Sequence, residues 1–383
     1  SSDVVAQSAL AWLNAASGDI SGTSVDALAA ELYAGSSIVA ATVDADTYAL
    51  LTADQDIQGG SVNAGSYADL YAFEDIQGTT VQADTVADLW AETGYIQGVD
   101  VFAGTDALLT AGLEIDSANV TAISDIDALA GAYIVASSFT AENGSVEIEA
   151  STGNIVSTTV VLKDADGDGL GETVSVVAGE ELDNVNVDAR APISAEGTYI
   201  VDGMYLSETA DIDLTARAGS IIGADVAAKV GSIDLMATEF ITDADVNAFA
   251  NVSLNADLDV VNTSVLAGGD VTVDGYLNAP DMVRSVHGSD ITAGGFVTVD
   301  AMAEVDNSTV AALEYVTVNA DNVTNSAVDA DGQIQVYALT DISNSVFKSD
   351  SDLDLILDAG DDIMNSDVVA QSALAWLNAA SGD

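Results

Sequence analysis

The residues best suited to chemistry stand between Lys163 and Thr173, in the run Lys-Asp-Ala-Asp-Gly-Asp-Gly-Leu-Gly-Glu-Thr. Asp164, Asp166 and Asp168 alternate, Gly169 permits a sharp turn, and Glu172 stands at the ninth position of the loop. Carboxylates at that spacing fold round a hard cation, with the Leu170 carbonyl as a further oxygen ligand. The predicted metal set is Asp164, Asp166, Asp168, Leu170 and Glu172, and the predicted ion is Ca2+. An EF-hand places Glu at the twelfth position, where this chain has Ser175. The competing reading is a plain acidic turn, common in a chain so rich in Asp.

Two other constellations invite a catalytic reading and neither carries it. Ser285, His287 and Asp290 contain the residue types of a hydrolase triad. They lie along a single strand, whereas a triad is a spatial arrangement, and His287 occupies a position held elsewhere by Gln58, Gln77 and Gln97. Cleavage of an acidic polysaccharide requires basic residues gathered in a groove. Here Lys163, Arg190, Arg217, Lys229, Arg284 and Lys348 are scattered through an acidic surface. No catalytic residue is therefore predicted, and the chain is expected not to be an enzyme. Tyr33, Tyr71 and Trp90 each follow an inward-pointing leucine and are expected close together on one outer face. They read as cross-coil aromatic packing or as a platform for a sugar or a neighbouring molecule.

The loop that carries the carboxylate run resembles the DxDxDGxxD calcium loops of integrin-type propellers and thrombospondin type 3 repeats. It is embedded in a chain of 383 residues with 63 acidic and 6 basic side chains, a formal charge of −57. Such a surface repels phosphate, which excludes nucleic acid and anionic membrane as direct partners. Yet 49% of the residues are hydrophobic, too many for a disordered acidic tail. Cysteine is absent, so no disulfide framework or thiolate site is expected. No apolar run is long enough to span a bilayer as a helix. The opening Ser1-Ser2-Asp3 shows no signal-peptide pattern and reads as a cut through a larger protein.

A short period organises the chain. Its pattern, apolar-x-turn-x-x-Val-x-Ala, reads IQGGSVNA at Ile57–Ala64, IQGTTVQA at Ile76–Ala83 and IQGVDVFA at Ile96–Ala103. The first residue recurs at 20, 38, 57, 76, 96, 115, 134, 155, 182, 201, 221, 241, 260, 286, 305, 323, 342 and 363, giving 18 units, most of them 18–21 residues long. Valine and alanine alternate with polar residues, so both point inward from one short strand. A second strand follows in pairs such as Leu51/Ala53 and Leu70/Ala72. The third position is mostly Gly or Asn, among them Gly59, Gly78, Gly98, Gly203, Asn307 and Asn325. Those residues best tolerate a left-handed backbone, so one corner of every coil is expected to turn through that region. Stacked Asn side chains there have the groups to hydrogen-bond from coil to coil.

Period two within a coil and about 19 between coils predicts an all-β chain, a parallel β-helix of stacked strands with no lateral edge. Residues 1–383 are read as one continuous β-solenoid. Two coils are longer than the rest, so loops are expected at 163–173, the acidic insertion, and at 274–285, which carries Pro280 and Arg284. Stretches such as Gly231–Ala237 (GSIDLMA), Gly268–Gly275 (GGDVTVDG) and Ile291–Ala301 (ITAGGFVTVDA) resemble filamentous-haemagglutinin-type adhesin repeats. The resemblance implies a β-helical shaft exposed on a bacterial surface.

A long period encloses the short one. Ser2–Asp19 and Ser366–Asp383 both read SDVVAQSALAWLNAASGD, an offset of 364 residues. Residues 366–383 are read as the start of the next copy of a 364-residue tandem repeat. The expected function is a non-enzymatic repeat unit of a giant extracellular or cell-surface fibre or adhesin shaft. Its expected partners are neighbouring copies, head-to-tail with lateral contact as a further option, and surface carbohydrate is a second option. The rival readings are a carbohydrate-binding or polysaccharide-cleaving β-helix and an S-layer or sheath component.

Overall fold

The computed structural model describes residues 2–164, 171–274, 285–350, 353–371 and 374–380. It falls into two compact units, Ser1–Ser194 and Ala195–Asp383. The described chain is all-β and all-parallel, a β-solenoid of about 19 turns.

In the first unit one turn is built from Tyr133–Val135, Ser138–Ala141 and Val146–Ala150. In the second unit a typical turn runs through Ile241–Thr242, Asp245–Ala248 and Val252–Ala256. A turn thus has three strands where the sequence pattern suggested two. The apolar residue that opens the pattern forms its own short strand, and the corner after it separates that strand from the Val-x-Ala strand.

The ladders are in register and made of like side chains. Val101 lies between Val81 and Val120, and Ala103 between Ala83 and Ala122. In the second unit Ile233 lies between Ile212 and Val252, and Leu235 between Leu214 and Leu254. All of these are buried. Burying a Val, Leu or Ile contributes about 1.5–3 kcal/mol, and the inward alternation repeats that contribution at every rung. Aromatic residues replace valine in this column at Phe139, Tyr205 and Phe347, all fully buried. Tyr205 pairs with Val226, and burial pushes its phenol up.

The corner column is left-handed at every described turn. The residue two after each opening apolar residue has φ between 49 and 66°, at all 18 positions from Gly22 to Asn365. Six are Gly, six are Asn, and the rest are Ala40, Ser117, Ala136, Ser157, Asp202 and Asp243. One anchor needs correction: Ile200, not Val201, pairs with Ile221. The corner of that turn is consequently Asp202, with Gly203 the residue after it. Two adjacent apolar residues, Ile200 and Val201, make the sequence ambiguous there, and burial of Ile200 resolves it. Gly60 shows why a second glycine can follow a corner. Its φ is 93°, and a Cβ there would come within 2.0 Å of the Ala41 carbonyl oxygen.

Candidate functional site

The acidic loop leaves the strand Thr159–Leu162 and returns at Val174–Ala178. Its two described flanks are pinned to the turn before. Lys163 Nζ pairs with Glu142 at 2.6 Å, and Thr173 N–H donates to Ser145 Oγ at 3.2 Å. Asp164 is buried with φ of 45°, and Glu172 is buried with Oε1 accepting the Gly144 N–H at 3.1 Å. Glu172 is therefore held against the turn before. Asp166, Asp168 and Leu170 lie outside the described residues. Among the described residues no group of three or more metal-ligating acidic, His or Cys side chains is gathered. Of the second loop, at 274–285, residues 275–284, with Pro280 and Arg284, lie outside the described residues as well.

Ser285, His287 and Asp290 are not brought together as a relay. Ser285 and His287 flank the inward Val286, and the only ionic neighbour of the imidazole among the described residues is Asp306, at 3.8 Å on the next turn. Burial pushes the Asp306 carboxyl up. Hydrogen bonds from Asn325 and Thr324 and the nearby His287 outweigh it and hold the group below its ordinary value.

Four of the basic residues pair with an acid on the turn before. Lys163 faces Glu142, Arg217 faces Glu196 at 3.1 Å, Lys229 pairs with Glu208, and Lys348 contacts both Asp329 and Asp350. A groove of free cations that could hold uronate carboxylates is not formed by these four. Each instead damps the repulsion along an acidic column, a modest contribution for exposed pairs.

The aromatic face is smaller than the sequence suggested. One outward column reads Tyr33, Thr52, Tyr71, Trp90, Thr110, so Thr52 separates Tyr33 from the others. Tyr71 and Trp90 pack edge-to-face with centroids 5.4 Å apart. The Tyr71 hydroxyl donates to Glu92, which pushes its phenol up, and Tyr33 donates to Asp54 at 3.2 Å. Stacked pairs also form at Tyr48–Tyr67 and Phe296–Tyr315, at 5.3 and 5.2 Å. Sequence reasoning did not single these out, although their spacing of 19 residues was visible.

A hydroxyl ladder, buried from Thr263 to Ser345, also escaped the sequence reading. It occupies the position just after the corner, at Thr263, Ser289, Ser308, Ser326, Ser345 and Ser366. Each of the first five donates its N–H to the hydroxyl of the next, at 3.2–3.3 Å. Each hydroxyl donates in turn to the carbonyl two residues earlier in its own chain segment, as from Ser326 to Thr324 at 2.8 Å. The signal was the pair Asn-Ser, recurring at 307, 325, 344 and 365. Of the corner asparagines, Asn325 donates to Asp306 at 2.9 Å and Asn262 to Asp243 at 3.2 Å. The cross-turn bonds of these Asn side chains go to carboxylates, not to one another.

No family model matches this chain, and neither does any curated protein or solved structure.

Proposed function

We propose that this chain is a non-enzymatic structural repeat of a giant extracellular, cell-surface fibre or adhesin shaft of a prokaryote, as the filamentous-haemagglutinin-type resemblance suggests. The β-helix fold is common to adhesins and polysaccharide-cleaving enzymes, so the argument rests on the long repeat. The observation that carries it is the seating of the two identical segments. In the first unit Val4, Leu13 and Ala15 take Val25, Leu32 and Ala34 as their rung neighbours on the following turn. In the second unit the same residues of the other copy, Val368, Leu377 and Ala379, take Phe347, Leu357 and Ala359 on the preceding turn. The described residues of one repeated segment thus fit the same ladder columns from below and from above, as a tandem array with a 364-residue period requires.

The mechanism is mechanical. Ladders of like side chains and continuous parallel hydrogen bonding resist extension and bending, and copying the unit adds turns without a new interface. Recombinant chains carrying one, two and three copies test this by electron microscopy. Eighteen stacked strands at about 4.8 Å predict roughly 86 Å of added length per copy. Added copies that do not lengthen the particle by a constant amount, or turnover of uronate polymers by the purified chain, contradict the reading.

Within this reading Asp164, Asp166, Asp168, the Leu170 carbonyl and Glu172 form a Ca2+ clasp on a single turn. That both described ends of the loop, Asp164 and Glu172, are buried acidic residues supports it. Isothermal titration with Ca2+ is expected to show one site that Asp166→Asn together with Asp168→Asn removes. Unchanged binding in that variant contradicts the assignment. Trp90, 48% exposed and braced by Tyr71, supports a second reading as a carbohydrate-binding shaft. Glycan binding abolished by Trp90→Ala would favour it.

A further inference from the structure

We propose that the outer face of the second strands between Ala227 and Asp331 is a two-fold docking surface for a second copy of this chain, laid antiparallel. It goes beyond the fibre reading and needs only the fold of the second unit.

In a chain with 63 acidic residues, two adjacent outward columns of this face form a strip that holds no carboxylate over five successive turns, while the column that opens the same strands keeps Asp225, Asp245 and Asp290. Its inner column, Ala227, Asn247, Leu266, Thr292 and Ala311, is in register rung by rung and continues to Asp329. Its outer column is Lys229, Phe249, Gly268, Gly294, Leu313 and Asp331. Each of these donates its N–H to the equivalent carbonyl of the turn before, as Phe249 does to Ala228 and Leu313 to Ala293. The same two columns in the first unit carry Asp44 and Asp46, or Thr140 and Glu142. A highly charged molecule approaches its own copy at lowest electrostatic cost where its acids are fewest.

The strip is also apolar and open. Phe249 is 70% exposed, Leu313 62% and Leu266 51%. Leu266 borders two shallow depressions, one lined by Ala248 and Gly268 and the other by Gly294 and Ala311 together with Asp329, Asp331, Lys348 and Asp350. Contiguous exposed apolar side chains of this kind mark interaction surfaces.

The order of the outer column selects the occupant. Read in either direction from the midpoint between Gly268 and Gly294, it runs glycine, large apolar, charged. A two-fold axis through that midpoint sets Lys229 opposite Asp331 of the other copy, Phe249 opposite Leu313, and Gly268 opposite Gly294. The surface is therefore self-complementary, as an isologous dimer requires. A parallel, in-register arrangement would instead set Lys229 on Lys229 and Asp331 on Asp331.

The absence of cysteine makes a direct test available. Phe249→Cys and Leu313→Cys proteins are prepared separately, mixed at about 0.15 M salt, where screening reaches about 8 Å, and oxidised. The crossed disulfide dimer is expected from the mixture and not from either protein alone. In the antiparallel dimer the two 249 positions are three rungs apart, about 14 Å, beyond the roughly 7 Å a disulfide tolerates between Cα atoms. A disulfide dimer of Phe249→Cys alone would establish parallel packing and overturn the proposal. Sedimentation of the unmodified chain is expected to show a dimer that Phe249→Asp with Leu313→Asp weakens at least about tenfold. Both residues are exposed, so the variant retains the fold, which circular dichroism checks. A monomeric unmodified chain, or a dimer indifferent to that double substitution, overturns the proposal.

Discussion

The turns anchored at Ile57, Ile76 and Ile96 and those anchored at Val305, Val323 and Ile342 make the same left-handed corner by different means. The first group uses Gly59, Gly78 and Gly98, followed by Gly60, Thr79 and Val99. The second uses Asn307, Asn325 and Asn344, each followed by a buried serine. Glycine removes the steric penalty of positive φ and supplies no bond. Asparagine tolerates the conformation, and Asn325 adds a bond to the turn before. The serine then fills the corner with a hydroxyl that is donor and acceptor at once. Gly288-Ser289 combines the glycine corner with the serine rung, so the two columns are chosen independently. The corner position answers a backbone requirement, and the position after it answers a hydrogen-bonding one.

The largest effect that would sharpen this contrast is expected from Gly60→Ala. The substitution meets positive φ and a carbonyl oxygen 2.0 Å from the new Cβ, so a loss of about 3 kcal/mol is expected. Gly78→Ala meets open space at φ of 59° and is expected to lose only about 1–2 kcal/mol. Denaturant titration of both variants checks the order; equal losses would show that close approach of turns is not what Gly60 serves.

Next comes the hydroxyl column. Ser326→Ala removes the acceptor of the buried Ser308 N–H, and a loss of about 2 kcal/mol is expected. Thr79 donates to Gln77 and Gly59 carbonyls at 3.3 and 3.4 Å, so Thr79→Ala is expected to lose about 1 kcal/mol. A smaller loss at Ser326 than at Thr79 would break the distinction. Ala136 turns the corner at φ of 49° without a residue suited to it, and Ala136→Gly is expected to gain about 1 kcal/mol. Thermal unfolding reads that sign directly.

The smallest effect is a pH dependence spread over the outward carboxylates. Partial burial, and Asp69 one rung away, push the Asp88 carboxyl up, and burial does the same at Asp69 and Glu114. A carboxyl raised in the folded state binds its proton more tightly there than in the unfolded chain. Its stabilising contribution is complete below the unfolded value and is lost as pH rises through the folded one. Melting temperature is therefore expected to rise as pH falls from 7 toward about 4.5, with Asp306 opposing the trend weakly. Asp88→Asn is expected to flatten part of that rise.

Most of the fold was legible because the short period writes each ladder as a column of like residues. The inward Val-x-Ala positions and the left-handed corner both follow from it, and the structure places a positive φ two residues after every opening apolar residue once Ile200 replaces Val201. The opening strand was not resolved from the corner that follows it, because two or three residues carry no alternation to read. Ile200 and Val201 show the same limit, since adjacent apolar residues leave the register to packing. The serine column was present in the sequence but looked like turn composition. Its role lies in bonds between residues about 19 apart, which no local pattern displays. Of the candidate site, the bond that holds Glu172 to the preceding turn depends likewise on stacking.

The most direct test of the two-column account is amide hydrogen exchange at Ser308 and Ser289 in the native chain and in Ser326→Ala. Ser308 N–H donates to Ser326 Oγ and Ser289 N–H to Ser308 Oγ, each at 3.3 Å. The account predicts that Ser308 exchanges at least about tenfold faster in the variant while Ser289 keeps more of its protection, because the hydroxyl it uses remains. Ser308 protection unchanged by the loss of the Ser326 hydroxyl would contradict it.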